Sequence, residues 1–124
     1  MLERSKLVGF IPTRDAAKAK AFFEGVLGLR FISDDQFALV FDANGTMVRV
    51  ARVPPYKPAQ FTILGWEVSE IAKVAKGLKA KGVVFEVFEG MGQDELGIWN
   101  APGGTKVAWF KDPDGNILSI SEHA

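Results

Sequence analysis

The sequence predicts an α+β fold of two tandem βαβββ modules whose strands build a concave mixed sheet, with the helices on its outer face. Three observations predict it. Glycine, proline and asparagine cut the chain into strand-length and helix-length pieces, the order of pieces in the first half returns in the second, and the turns of the two halves match under a fixed shift. The 124 residues are 48% apolar and 24% charged with no cysteine, the make-up of one ordinary globular domain. A chain of this size buries a core without covalent staples.

The first module is read over residues 5–53. Lys6 to Pro12 is a short apolar strand, and Thr13 or Asp15 caps a helix on which Phe22, Phe23, Val26 and Leu27 recur at helical spacing. Gly25 and Gly28 end it. Leu29 to Ser33, Phe37 to Asp42 and Thr46 to Val53 then read as strands, parted by Ser33-Asp34-Asp35 and by the hairpin dipeptide Asn44-Gly45. A proline-rich linker, residues 54–59, leads to the second module, residues 60–122. There Gln60 to Val68 reads as a strand, and Ser69 is placed to cap a helix with Ile71, Val74, Ala75 and Leu78 on one face. Gly82 stops that helix. Val83 to Val87, Leu96 to Trp99, Thr105 to Lys111 and Ile117 to Ser121 read as strands, divided by Gly90 to Asp94, Pro102-Gly103-Gly104 and Asp112-Pro113-Asp114-Gly115.

A shift of 55 positions carries Val8 onto Ile63, and a shift of 70 carries Gly45 onto Gly115 and Phe37-Ala38 onto Val107-Ala108. The second module has therefore gained about 15 residues, placed within Glu86 to Gly103. A ferredoxin-like βαββαβ order fits less well, because it supplies two strands after the first helix where three are counted. No RNP-type aromatic strand is present either.

Fifteen basic residues balance fifteen acidic ones, and the pI is near 6.6. That balance removes the broad positive field that nucleic acid or an anionic membrane selects, so neither is expected as a partner. The opening residues lack a secretory apolar core and no run is long enough to span a bilayer, so a cytoplasmic location is expected. Without cysteine there is no thiolate nucleophile, disulfide or thiolate metal site.

Val107-Ala108-Trp109-Phe110-Lys111-Asp112-Pro113-Asp114-Gly115-Asn116-Ile117-Leu118 resembles the F-x-D-P-D-G-N-x-L string of the vicinal oxygen chelate superfamily, which holds glyoxalases, bleomycin resistance proteins and extradiol dioxygenases. Asp15 to Leu29 is similar to its other string, D-x-x-x-A-x-x-F-Y-x-x-x-L-G-L, with Phe23 at the tyrosine. The turn residues and the phenylalanines of these strings suit structural work, a type I turn and a helix packed on a sheet. What the resemblance implies for function is a divalent metal held by one side chain from each first strand and one from each last strand. Here those positions are Val8, Ile63, Arg49 and Ser119, so no metal and no other cofactor is expected. The single histidine, His123, and its neighbour Glu122 read as a solvated tail.

If the family's strand parity holds, Val8, Phe10, Arg49, Ala51, Ile63, Gly65, Glu67, Ser119 and Ser121 face the cleft, an apolar cup with a few polar anchors. Arg49 is read as a clamp for an anionic ligand, as a surface arginine or as the partner of Glu67. Trp99 and Trp109 flank the inserted segment and are candidates to stack on a planar ligand, while Trp66 falls on the core side. The insert Phe88 to Glu95 is read as a solvated connector or a flap. The expected function is metal-independent binding of a small molecule by a homodimer, akin to bacterial-type bleomycin resistance proteins. The alternatives are a divergent enzyme using other metal ligands or Glu67 as base with Arg49 as oxyanion clamp, and an accessory protein whose cleft its own side chains fill.

Overall fold

The first module begins on β1 (Val8–Thr13), where alternate residues are buried: Ile11 and Thr13 point to the core while Val8 and Phe10 stay exposed. The computed structural model describes residues 1–124 and divides into two units, Met1–Lys57 and Pro58–Ala124. Asp15 caps the helix that follows, its Oδ1 accepting the Lys18 N–H at 3.1 Å, and Thr13 Oγ1 accepts the Asp15 N–H. The helix is α only over α1 (Ala16–Lys20) and widens to a π turn over Ala21–Val26, where the Leu27 N–H donates to the Phe22 carbonyl.

β2 (Arg30–Asp34), β3 (Ala38–Ala43) and β4 (Thr46–Arg52) complete a sheet of order β1-β4-β3-β2, with β1 parallel to β4. Asn44 and Gly45, with φ of 52° and 94°, make the two-residue hairpin turn that joins β3 to β4. One face of the sheet packs Ile11, Leu39, Phe41, Val48 and Val50 with Ala19 and Phe23 of the helical segment, and Phe41 meets Phe23 and Phe31 at ring distances of 5.9 and 5.6 Å.

The second module repeats the frame with β5 (Thr62–Glu67), α2 (Ile71–Ala80), β6 (Trp99–Asn100), β7 (Lys106–Lys111) and β8 (Ile117–Glu122), in the order β5-β8-β7-β6. Its core side carries Ala108, Phe110, Leu118 and Ile120 against Ile71 and Ala75. Lys73, Lys76 and Lys79 are on the exposed side of α2, as its spacing predicts.

Register proves the duplication. Gly9, Phe10, Ile11 and Pro12 pair with Val48, Arg49, Val50 and Ala51, and Leu64, Gly65, Trp66 and Glu67 pair with Leu118, Ser119, Ile120 and Ser121. These are the same pairs under the shifts of 55 and 70. The alignment of Phe37-Ala38 with Val107-Ala108 is one residue out. Val40 pairs with Arg49 whereas Trp109 pairs with Ser119, so Ala38 corresponds to Val107 and Phe41 to Phe110. The cause is the β7–β8 turn, which is one residue longer than its counterpart. Gly115, at φ 88°, closes a turn on the Asp112 carbonyl, and the Asp112 N–H then bonds the Asn116 carbonyl.

Three further expectations are corrected. Val83 to Val87 is no strand: it meets β7 only at the bridge Phe85 to Phe110, where the Glu86 N–H donates to the Trp109 carbonyl, and with Val84 and Val87 exposed little apolar burial holds it there. Leu96 to Trp99 is mostly loop, with a two-residue strand at Trp99–Asn100. Ser69 does not cap α2: Glu122 does, its Oε1 accepting the Ile71 N–H at 2.9 Å from the end of β8. Glu122 is therefore no free tail residue. Replacing it by alanine should cost about 1 kcal/mol, the usual worth of a helix cap, which a melt registers as a fall of roughly 3 to 6 °C.

Candidate functional site

Each sheet has one packed face and one open face, and the candidate residues lie on the open ones. In the first module they form rows across the strands, because directly paired residues share a side of the sheet. Val8, Met47, Asp42 and Arg30 make one row; Phe10, Arg49, Val40 and Ser33 make the next. Phe10 is 63% exposed. The first row lies along a groove of about 390 Å³ that Leu7, Ile32 and Val40 also line.

Arg49 has an ion partner, and it is Asp35. One guanidinium nitrogen of Arg49 donates to Asp35 Oδ2 at 2.7 Å, and three residues on Arg52 grips Asp34 with two bonds of 2.8 and 2.7 Å. Asp34 ends β2 and accepts the Gln36 N–H, and Asp35 opens the β2–β3 turn and accepts the N–H groups of Phe37 and Ala38. The Arg52 bonds, helped by the Gln36 N–H, pull the Asp34 carboxyl down to about 2, and the Arg49 bond, helped by the Ala38 N–H, holds the Asp35 carboxyl below its ordinary value. A lowered carboxyl stabilises the fold where the unfolded chain is also ionised, and that benefit is lost as pH falls. Asp34→Asn should therefore lower the melting temperature near neutral pH by a small margin that closes between about pH 4 and pH 2, as paired melts across that range will show.

In the second module Gly65, Ser119 and Trp109 share one row, and Glu67, Ser121, Val107 and Trp99 the next. Ser119 is buried, and a Cβ on Gly65 would come within 2.5 Å of its hydroxyl, so that hydroxyl must turn away before any side chain fits there. Ile63 falls in the irregularity between Thr62 and Leu64 and has no partner in the ladder. The Glu67 carboxylate is exposed and makes no hydrogen bond or ion pair, while the neighbouring Ser121 hydroxyl meets His123 Nε2 at 2.9 Å.

The aromatic residues cluster. Trp109 lies 6.0 Å from Trp99 with rings tilted by 32°, and Phe88 stands edge-on to Trp109 at 5.5 Å. Beside them a groove of about 270 Å³ is walled by Phe61, Phe88, Met91, Trp109 and Ile117. Phe61 is 69% exposed at its lip. Trp66 is on the opposite, packed side with Ile120.

The insert is held at both ends. Gln93 accepts the Phe88 N–H and donates to the carbonyls of Glu86 and Gly97, and Asp94 Oδ1 accepts the N–H groups of Leu96 and Ile98. These bonds fasten the segment that presents Phe88 and Met91, which argues against a loose flap. Sequence reasoning does not single out Phe61 or Met91: Phe61 opens an apolar run that reads as a strand, and Met91 is a lone apolar residue among the glycines and acids of the insert.

The positions at which the resembled family holds a metal do not suit one here. Val8 and Ile63 have no donor atoms, Ser119 offers one neutral hydroxyl, and Arg49 is a cation already directed at Asp35. No group of three or more histidine, aspartate or glutamate side chains is gathered elsewhere for an ion. No helix is long and apolar enough to cross a membrane.

Comparison with known proteins places this architecture. A search of curated proteins found no match. Among solved structures, a glyoxalase family protein from Bacillus anthracis is 14% identical with a TM-score of 0.77, covering 98% of this chain and 96% of that one. TnmS3, an antibiotic binding protein from Streptomyces sp. CB03234, is 22% identical with a TM-score of 0.75 over 100% and 99%. Lactoylglutathione lyase from Agrobacterium tumefaciens is 16% identical with a TM-score of 0.71 over 96% and 93%. Identities this low establish a shared fold and leave function open. The sequence itself fits the Glyoxalase/Bleomycin resistance protein/Dioxygenase superfamily over residues 6–120, from just before β1 into β8, and with the duplicated register this makes the chain a member of that superfamily.

Proposed function

We propose that the protein is a cytoplasmic, metal-independent binder of small molecules, a single two-module domain that works as a homodimer and holds a planar aromatic ligand against Trp109. The observation that carries this reading is the groove walled by Phe61, Phe88, Met91 and Trp109. Flat rings gain area and favourable edge and face contacts against such walls, and the fastened Gln93 loop lowers the ordering cost of binding. TnmS3, which shares the fold, is an antibiotic binding protein, and that supports binding as the activity. Ser119, Ser121 and Glu67 supply polar anchors next to the aromatic wall. Arg49 would meet an anionic group only in competition with Asp35.

Thermal-shift screening against planar aromatic compounds, with quenching of tryptophan fluorescence by 9-aminoacridine, tests the reading. Saturable quenching with stabilisation of about 2.7 kcal/mol at a hundred times the dissociation constant is expected. Absence of both up to millimolar probe would overturn it. Stoichiometric divalent metal in protein purified without chelators would overturn metal independence, and a monomer by light scattering would remove the dimer.

A second reading has one observation behind it: the unpaired Glu67 carboxylate lies in register with Ser121, whose hydroxyl meets His123. This is an arrangement for proton transfer by Glu67 acting as base. Turnover in glyoxalase or catechol assays that Glu67→Gln abolishes would establish it.

A further inference from the structure

We propose that the first module carries a second ligand site of different chemistry, a groove for an aliphatic molecule ending in a carboxylate. The groove is the one of about 390 Å³ along β1, β4, β3 and β2, and its walls are Leu7, Val8, Ile32, Val40 and Met47. No aromatic residue but Phe41 touches it, so it offers an alkyl chain apolar area and no stacking platform.

Its charged rim supplies the second half of the argument. Arg49, on the neighbouring row, and Arg52, at the end of β4, are both engaged, by Asp35 and Asp34. Arg30 and Lys6, which line this groove, make no side-chain hydrogen bond or ion pair. The carboxylate nearest in register to Arg30 is Asp42, also in the groove, and its Oδ1 accepts the Gly45 N–H at 3.0 Å in the hairpin turn. Two unengaged cations thus face one turned carboxylate. That balance favours an anion, and a guanidinium fork matches a carboxylate's two oxygens.

The fold brings these residues together by a local irregularity. Arg30 pairs with Asp42 and Phe31 with Phe41, but Ser33 pairs with Val40, so β2 carries an extra residue at Ile32. Both Arg30 and Ile32 then line the groove while Phe31 stays packed on Phe41. The groove shares no lining residue with the Trp109 groove and does not depend on it.

The chain has three methionines, of which Met47 lines this groove and Met91 the aromatic one, so a methyl-labelled methionine spectrum of the whole protein reads both sites at once. Titration with decanoate should shift the Met47 methyl signal and leave Met91 in place. Decanol, with the same chain and no charge, should need at least roughly tenfold more for half saturation. Arg30→Gln should bring decanoate to the level of decanol. The proposal is overturned if Met47 does not respond to decanoate, if decanol binds equally well, or if Arg30→Gln changes nothing. It is also overturned if Met91 responds in place of Met47, a result that would leave the aromatic groove as the binding site. Failure of 9-aminoacridine to act on Met91 or the tryptophans would count against the proposed function alone.

Discussion

Asp112→Ala should destabilise the protein by about 2 to 4 kcal/mol, since a buried group that loses its hydrogen-bond partner costs about 1 to 3 kcal/mol and more where the lost partner is charged. The Asp112 side chain is buried in the β7–β8 turn, where Oδ1 accepts the N–H groups of Asp114 and Asn116 and Oδ2 accepts the Asn116 side-chain amide, at 2.8 to 2.9 Å. Asp114 and Asn116 are buried as well, so truncation removes at one stroke the acceptor of two buried backbone donors and of the Asn116 amide. Burial raises the Asp112 carboxyl above its ordinary value, with the nearby Asp114 charge adding to it, against the hydrogen bonds that lower it. A raised carboxyl binds its proton more tightly when folded, so its effect on stability runs opposite to that of Asp34: the fold loses stability as pH rises from about 4 toward the raised value. Asp112→Asn keeps an acceptor for the backbone donors and removes the buried charge, and should cost clearly less than alanine. Equal losses in denaturant melts of the two variants would show that the hydrogen bonds are not what the turn needs.

Trp109→Ala should weaken binding of a planar ligand by about 1 to 3 kcal/mol, some five-fold to over a hundred-fold in affinity. Trp109 stands between Trp99 and Phe88, so its loss removes a wall of the groove and the surface that positions both neighbours. Trp66→Phe, on the packed side, is the control and should leave affinity unchanged. Affinity that survives Trp109→Ala would place the ligand elsewhere.

The sequence made most of the frame legible, because turns are local. Asn44-Gly45 and Asp112-Pro113-Asp114-Gly115 dictate their own backbone geometry, and one strand at each turn, β4 and β7, alternates in burial and so fixes which side faces the core. What stayed hidden depends on pairing between distant residues. Glu122 caps a helix that starts 51 positions earlier, a link no window of sequence reveals. Spacing leaves Arg49 open as a ligand clamp, a surface arginine or a partner of Glu67, and its partner is Asp35, one of an Asp-Asp pair that in sequence shows only as a turn. Val83 to Val87 has the apolar, β-branched look of a strand, yet Val84 and Val87 lie in solvent and only Phe85 and Glu86 reach β7. The aromatic groove was half visible: both tryptophans were singled out, while Phe61 and Met91 reach them only through the fold.

The strand order also bears on how the chain acquires its shape during synthesis. β1 bonds only to β4, and β5 only to β8, so in each half the strand made first waits for the strand made last. In the second half α2 waits too, since its capping carboxylate belongs to Glu122. The first 57 residues hold every partner their own sheet needs and are free to order while the rest is still being translated. The second sheet has no such head start. Until residue 122 is made, β5 presents an unpaired edge and α2 an open end, and that interval is when a nascent chain is most exposed to wrong strand pairing.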